Sequence, residues 1–114
     1  MNQSFTIKTN NEFEKAEIYY SVLSQINNLK LTKGEIKLVA YTAVKGNISN
    51  ANVRVEYCKK YNTTESVIGN IISKLKKIYI FVKDDKKKTI VNSQIVLDFN
   101  KDIQIGINII KTKK

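Results

Sequence analysis

The chain has 114 residues, about the length of one domain, with 42% hydrophobic residues, a single cysteine and no histidine. That size buries one core without staples, and the residue set excludes an internal disulfide, a cysteine-based zinc cluster and the usual histidine-based triads. The net charge is +10, from 20 Lys and Arg against 10 Asp and Glu, and a field of that sign favours a polyanionic partner: nucleic acid first, an anionic membrane second.

In chain order, residues 4–8 alternate apolar and polar, with Phe5 and Ile7 on one face, which predicts a short strand. From Glu12 to Asn27 the period becomes helical. Phe13, Ala16, Ile18, Tyr19, Tyr20, Val22, Leu23 and Ile26 form a broad apolar stripe. Asn10 or Asn11 is placed to cap its start, and Asn27-Asn28 to end it, because asparagine tolerates left-handed backbone. Thr32 and Glu35 stand at capping-box spacing before Ile36, Leu38, Val39, Ala40, Ala43 and Val44, with Leu31 in the place of a hydrophobic staple. Gly46 closes this second helix.

Ser49 or Asn50 can cap a third helix, roughly residues 51–60, that carries Val53, Tyr57 and Cys58 inward. Only Tyr61-Asn62-Thr63 separates it from a fourth, residues 64–77, for which Asn62, Thr63 or Thr64 is the cap. Ile68, Ile71, Ile72, Leu75 and Ile78 form one stripe of that helix, and its other face reads Ser66, Asn70, Ser73, Lys74 and Lys77. The period then becomes that of strands. Residues 79–82 and 89–91 flank Lys83-Asp84-Asp85-Lys86-Lys87-Lys88, the pattern of a hairpin around a charged loop. Ile95, Leu97 and Phe99 alternate again, and Ile103, Ile105, Ile107 and Ile109 predict a C-terminal strand before a basic end at Lys111-Thr112-Lys113-Lys114.

Two short helices joined by a three-residue turn and followed by a hairpin suit a helix-turn-helix, whose second helix is held out from the body by the first. The stretch from Leu31 to Phe99 resembles a winged helix-turn-helix domain. The resemblance is carried by Leu-Thr-Lys-Gly-Glu-Ile-Lys-Leu-Val, a helix with Val53 and Tyr57, a helix ending Ile-Ser-Lys-Leu-Lys-Lys, then Tyr-Ile-Phe-Val and a basic loop. The layout is similar to MarR-like regulators and to the winged domains of small plasmid and phage replication proteins; Thr89-Ile90-Val91-Asn92-Ser93 leans toward the latter. It implies an α+β fold: one winged helix-turn-helix domain over residues 1–114, core 31–99, with a hairpin wing, an N-terminal strand and helix, and a C-terminal strand. The wing here is all lysine, where such domains usually carry an arginine or two, and the chain continues for about fifteen residues past a compact wing.

By position, the resemblance implies that residues 64–77 are the recognition helix, with Thr64, Glu65, Ser66, Asn70 and Lys74 toward the major groove. Serine and threonine hydroxyls bond phosphates or base edges, and an asparagine amide matches adenine. Glu65 repels phosphates unless it reads a cytosine amine or caps the helix. Lys83, Lys86, Lys87 and Lys88 of the wing would contact the backbone, which supplies affinity and salt dependence rather than sequence choice. Lys59 and Lys60, at the turn, would add to the patch. Each has a plainer reading: a solvated helix face, a soluble hairpin tip, tyrosines that serve the core, and Cys58 as a small buried apolar residue.

The charge is lopsided: residues 1–57 hold seven bases and five acids, residues 58–114 thirteen bases and five acids. No Gly-rich phosphate cradle is present, and Asp84-Asp85, the one adjacent carboxylate pair, sits beside lysines. The expectation is a binding protein and not an enzyme, without metal or cofactor. Its partner is nucleic acid, DNA more than RNA, in a transcriptional regulator or a replication or packaging accessory factor of a phage or plasmid. The alternative is a structural or adaptor protein, such as a virion or assembly component, that uses the same fold for protein contacts. Ile103, Ile105, Ile107 and Ile109 form a greasy strand face that packs on Phe5 and Ile7 or builds a homodimer or assembly contact. No apolar run approaches the roughly 18–20 residues that span a bilayer. The start is polar, so the expected setting is the cytoplasm or a packaged virion.

Overall fold

A computed structural model describes residues 8, 9 and 11–105. Four helices precede a two-stranded antiparallel sheet, an α+β arrangement: α1 (Glu12–Ile26), α2 (Lys33–Lys45), α3 (Ala51–Tyr61), α4 (Glu65–Lys76), β1 (Phe81–Lys83) and β2 (Thr89–Val91). Each helix starts on a side-chain oxygen that accepts orphan backbone N–H groups: Asn11 for α1, Thr32 for α2, Asn50 for α3 and Thr64 for α4. The Thr32–Glu35 capping box forms in both directions. Asn62 ends α3 in the left-handed region, at φ 51° and ψ 58°, and turns the chain into α4.

α2 is the central element and packs against α1, α3, α4 and β2. Leu38, Val39, Ala40, Tyr41 and Thr42 are buried in succession. At 100° per residue five consecutive positions point in every direction, so this part of α2 is enclosed on all sides. The Thr42 hydroxyl donates to the Leu38 carbonyl at 2.8 Å, so burial leaves it satisfied. Ala16 and Tyr20 of α1, Tyr57 of α3, Ile68, Ile72 and Leu75 of α4, and Ile80, Phe81, Val91 and Phe99 complete one core.

The hairpin pairs Phe81 with Val91, Val82 with Ile90 and Lys83 with Thr89. Its outer edge is not open. Ile48, between α2 and α3, donates its N–H to the Thr89 carbonyl at 3.0 Å, and the Ser49 hydroxyl accepts from the Thr89 N–H at 2.8 Å. The segment at residues 48–49 thus meets β2 at Thr89, on the side away from β1. Ile48 itself is fully buried.

Three expectations differ from the structure. The strand predicted from Ile95, Leu97 and Phe99 does not form: Ser93–Ile95 is a single 3-10 turn and residues 96–105 are irregular. With β2 lined by residues 48–49 and β1 packed by α4, these residues dock singly. Phe99 packs on Tyr19 and Tyr20, with centroids 5.9 Å from each, and the Ile95 carbonyl accepts from the Tyr20 hydroxyl at 2.7 Å. Second, the chain does not pass straight from α4 into a strand at residue 79. Tyr79 has φ 62°, and pairing begins at Phe81. Third, Ile78 is not part of the inward stripe; it is 47% exposed. Of the N-terminal strand expected at residues 4–8, residues 4–7 lie outside the described residues, and Lys8, which is described, stands in no strand. Of the C-terminal set, Ile103 is half-buried against the core and Ile105 is exposed, with no strand at either; Ile107 and Ile109 lie outside the described residues. Among the described residues no helix is long and apolar enough to cross a membrane.

Candidate nucleic-acid interface

α4 follows from its own sequence. Ile68, Ile72 and Leu75 recur at helical spacing and are buried, so one face is locked into the core. Ser66, Asn70, Ser73 and Lys77 recur at the same spacing on another face and are all exposed, as are Glu65, Val67 and Lys76. The helix is therefore fixed by one side and open on the other. Thr64 is the N-cap, and its hydroxyl accepts from the Val67 N–H at 3.4 Å. That occupies one side of a group the sequence offered for base or phosphate contact.

Lys74 is placed differently from Ser66 and Asn70. Its ammonium lies 2.8 Å from the Glu35 carboxylate, with Lys74 62% and Glu35 6% exposed at the side chain. Glu35 also accepts from the Thr32 N–H at 2.8 Å. Burial pushes this carboxyl up, but the Lys74 ammonium and the Thr32 N–H outweigh burial and hold it below the usual carboxylate range. Lys74 is thus a strut between α4 and the start of α2, and much of its charge is already matched.

The hairpin loop is built by Asp84. Its carboxylate accepts from the N–H groups of Lys86 and Lys88 at 2.9 and 2.8 Å, and its carbonyl accepts from the Lys87 N–H at 3.0 Å. Lys87 sits at φ 62°, the left-handed position such a loop requires. This internal acid sets the turn, so the lysines project from a defined frame. Lys83, Lys86, Lys87 and Lys88 are exposed, and among the described residues none of them forms an ion pair.

Lys60 does not join a patch at the turn between α3 and α4. Its ammonium stands 3.6 Å from the centroid of Phe13, with Tyr61 at 5.3 Å, so it serves an aromatic cluster shared by α1, α2 and α3. In that cluster Phe13 stacks on Tyr41 at 5.2 Å. The Tyr41 hydroxyl donates to Glu56 at 3.1 Å, and Lys45 lies 3.3 Å from the same carboxylate. Lys59 is exposed.

Several contributors were not singled out by the linear pattern. Arg54, the only arginine, donates from Nε to the Ile48 carbonyl at 2.7 Å and so holds the segment that lines β2. Lys76 is exposed at the end of α4, next to Lys77, which the outward face already included. From Ser66 to Lys83 the chain carries four lysines and no carboxylate, a run that a count along the sequence would have found. No group of three or more His, Cys, Asp or Glu able to hold a metal ion occurs among the described residues. No family model, curated protein or solved structure matches the chain.

Proposed function

We propose that the protein is a winged helix-turn-helix domain that binds duplex nucleic acid, DNA in preference to RNA. In this reading α3 and α4 are the helix-turn-helix, the segment at Ile48 and the β1–β2 hairpin are the small sheet, and the loop at residues 84–88 is the wing. The observation that carries the proposal is α4 itself: Ile68, Ile72 and Leu75 clamp one face, while Ser66, Asn70, Ser73 and Lys77 stand exposed along another. A B-form major groove admits a helix presented in this way, and a deep, narrow RNA groove does not. Asn70 pairs with adenine and Ser66 with a base edge or phosphate. Lys83, Lys86, Lys87 and Lys88 contact phosphates, and Lys77 adds to them. Lys74 acts chiefly through Glu35. The role that follows is a transcriptional regulator or a replication or packaging accessory factor, with no catalytic step.

The test is anisotropy on labelled duplex DNA across a range of salt. Each phosphate contact on B-DNA adds about 0.9 to the slope of log affinity against log salt. Changing Lys86, Lys87 and Lys88 together to Gln is expected to weaken binding and flatten that slope by up to about 3. No binding at low salt by a folded chain would sink the proposal. A second reading, a structural or adaptor protein that uses this fold for protein contacts, draws on a groove of about 390 Å³ between α1 and α2, lined by Ile18, Val22 and Ile36 with Glu17 and Lys37 at its rim. An inert response to DNA, together with self-association that a charge at Ile18 abolishes, would favour it.

A further inference from the structure

We propose that Tyr79 is a stacking platform for an unpaired base of the bound nucleic acid, set at the end of the α4 face; the assignment rests on the nucleic-acid reading above. It begins with the backbone. α4 ends in a Schellman turn, in which the Ile80 N–H donates to the Leu75 carbonyl and the Tyr79 N–H to the Lys76 carbonyl, both at 3.1 Å. Tyr79 occupies the left-handed position of that turn, at φ 62°. Glycine is the usual residue there, because a side chain in this conformation crowds its own backbone. Here the chain carries an aromatic ring, and the ring gains nothing from burial. Tyr79 is 73% exposed and Ile78, before it, is 47% exposed. The other five tyrosines are all buried or half-buried. A costly backbone conformation that holds a large ring in solvent is a reason to look for a use.

The surroundings select the ligand. Lys76 and Lys77 precede the ring and are exposed, and no carboxylate occurs between Ser66 and Lys83. The backbone that carries the ring is held: the Asn92 side-chain amide donates to the Tyr79 carbonyl at 3.1 Å, and the Asn92 N–H donates to the Ile80 carbonyl at 2.8 Å. An exposed aromatic ring on a fixed backbone, close along the chain to exposed lysines, matches a nucleobase attached to its phosphates, and stacking of this kind accepts any base. An acidic protein segment would satisfy the lysines but would leave the ring without a planar partner. Bases inside a duplex already stack on one another. The ring therefore meets a base where the strand is unpaired, at an overhang, a bulge or a fork.

The experiment compares a blunt labelled duplex with the same duplex carrying a short single-stranded overhang, using the full chain at one salt concentration. The wild type is expected to bind the overhang form about 5- to 140-fold more tightly, the range that one stacked base supplies. Tyr79→Gly abolishes this preference and leaves blunt-duplex affinity within about twofold. It also raises Tm by about 4 °C, because the left-handed crowding is relieved. Tyr79→Phe keeps the preference. Equal binding of both duplexes by the wild type, a preference that survives in Tyr79→Gly, or an equal weakening of both duplexes in that variant each overturns the stacking assignment. So does a fall in native mass on the glycine change, which would place the ring in a protein contact. No binding of either duplex by the wild type would instead remove the nucleic-acid reading on which this one stands.

Discussion

Replacing Lys74 by Gln is expected to destabilise the protein by about 2 kcal/mol at neutral pH and by much less in acid. The change leaves Glu35, whose side chain is 6% exposed, without its cationic partner. Removing one member of a fully buried pair costs about 3–5 kcal/mol. Here the lysine is 62% exposed, so water takes over part of its role and about 2 kcal/mol is the better figure. For a chain of this length that corresponds to a Tm lower by about 8 °C. The pH dependence supplies the sharper check. The folded-state pKa of Glu35 lies below its usual value, so the stability it contributes is complete above about pH 4.3 and is lost as the pH falls through the folded-state value. In Lys74→Gln, burial is no longer outweighed, the carboxyl titrates higher, and there is less left to lose. Urea unfolding followed by far-UV circular dichroism at about pH 7 and about pH 3.5 would show the gap between wild type and variant closing in acid. A gap of the same size at both pH values would refute the reasoning. So would a difference below about 0.5 kcal/mol at neutral pH, which would make the pair an ordinary surface contact.

Three further outcomes are expected. Asn70→Ala should cost about 1–3 kcal/mol of discrimination at one A·T position while sparing non-specific binding, read by competition between duplexes that differ at single positions; a uniform loss across sequences would remove its base-reading role. Lys87→Gly should stabilise the fold by about 0.5–1 kcal/mol, because glycine accepts the left-handed φ of 62°, yet lower the salt slope of DNA binding by about 1. Burial and the Glu56 hydrogen bond push the Tyr41 phenol up to about 12, so its contribution is complete below about pH 10 and fades as pH rises through that value. Unfolding free energies at about pH 9 and about pH 11 should fall more steeply in the wild type than in Tyr41→Phe.

The helices were legible because each is written in a short window. The stripe of Ile68, Ile72 and Leu75, the Thr32–Glu35 box and the left-handed Asn28 after α1 are local devices, and the structure realises all three. The strand edges were harder. Tyr79, Ile80, Phe81 and Val82 look like one run of strand formers, but a helix ending at Lys76 must first turn back on itself, and the Schellman bonds place that turn at Tyr79. The candidate site was legible as a set of residues and not as a set of roles. Ser66, Asn70 and the hairpin lysines read correctly as exposed, whereas the sequence alone offers no way to tell that Lys74 and Lys60 already have partners.

From the sequence alone came the helix order, the hairpin, the basic second half and the absence of histidine chemistry, since composition and periodicity depend on neighbours a few residues apart. Tertiary packing alone decided which acid meets Lys74, which segment lines β2, where Phe99 docks and that a tyrosine stands in solvent at the end of α4. Those contacts join residues distant along the chain, and they exist only once α2 has gathered the other elements around it.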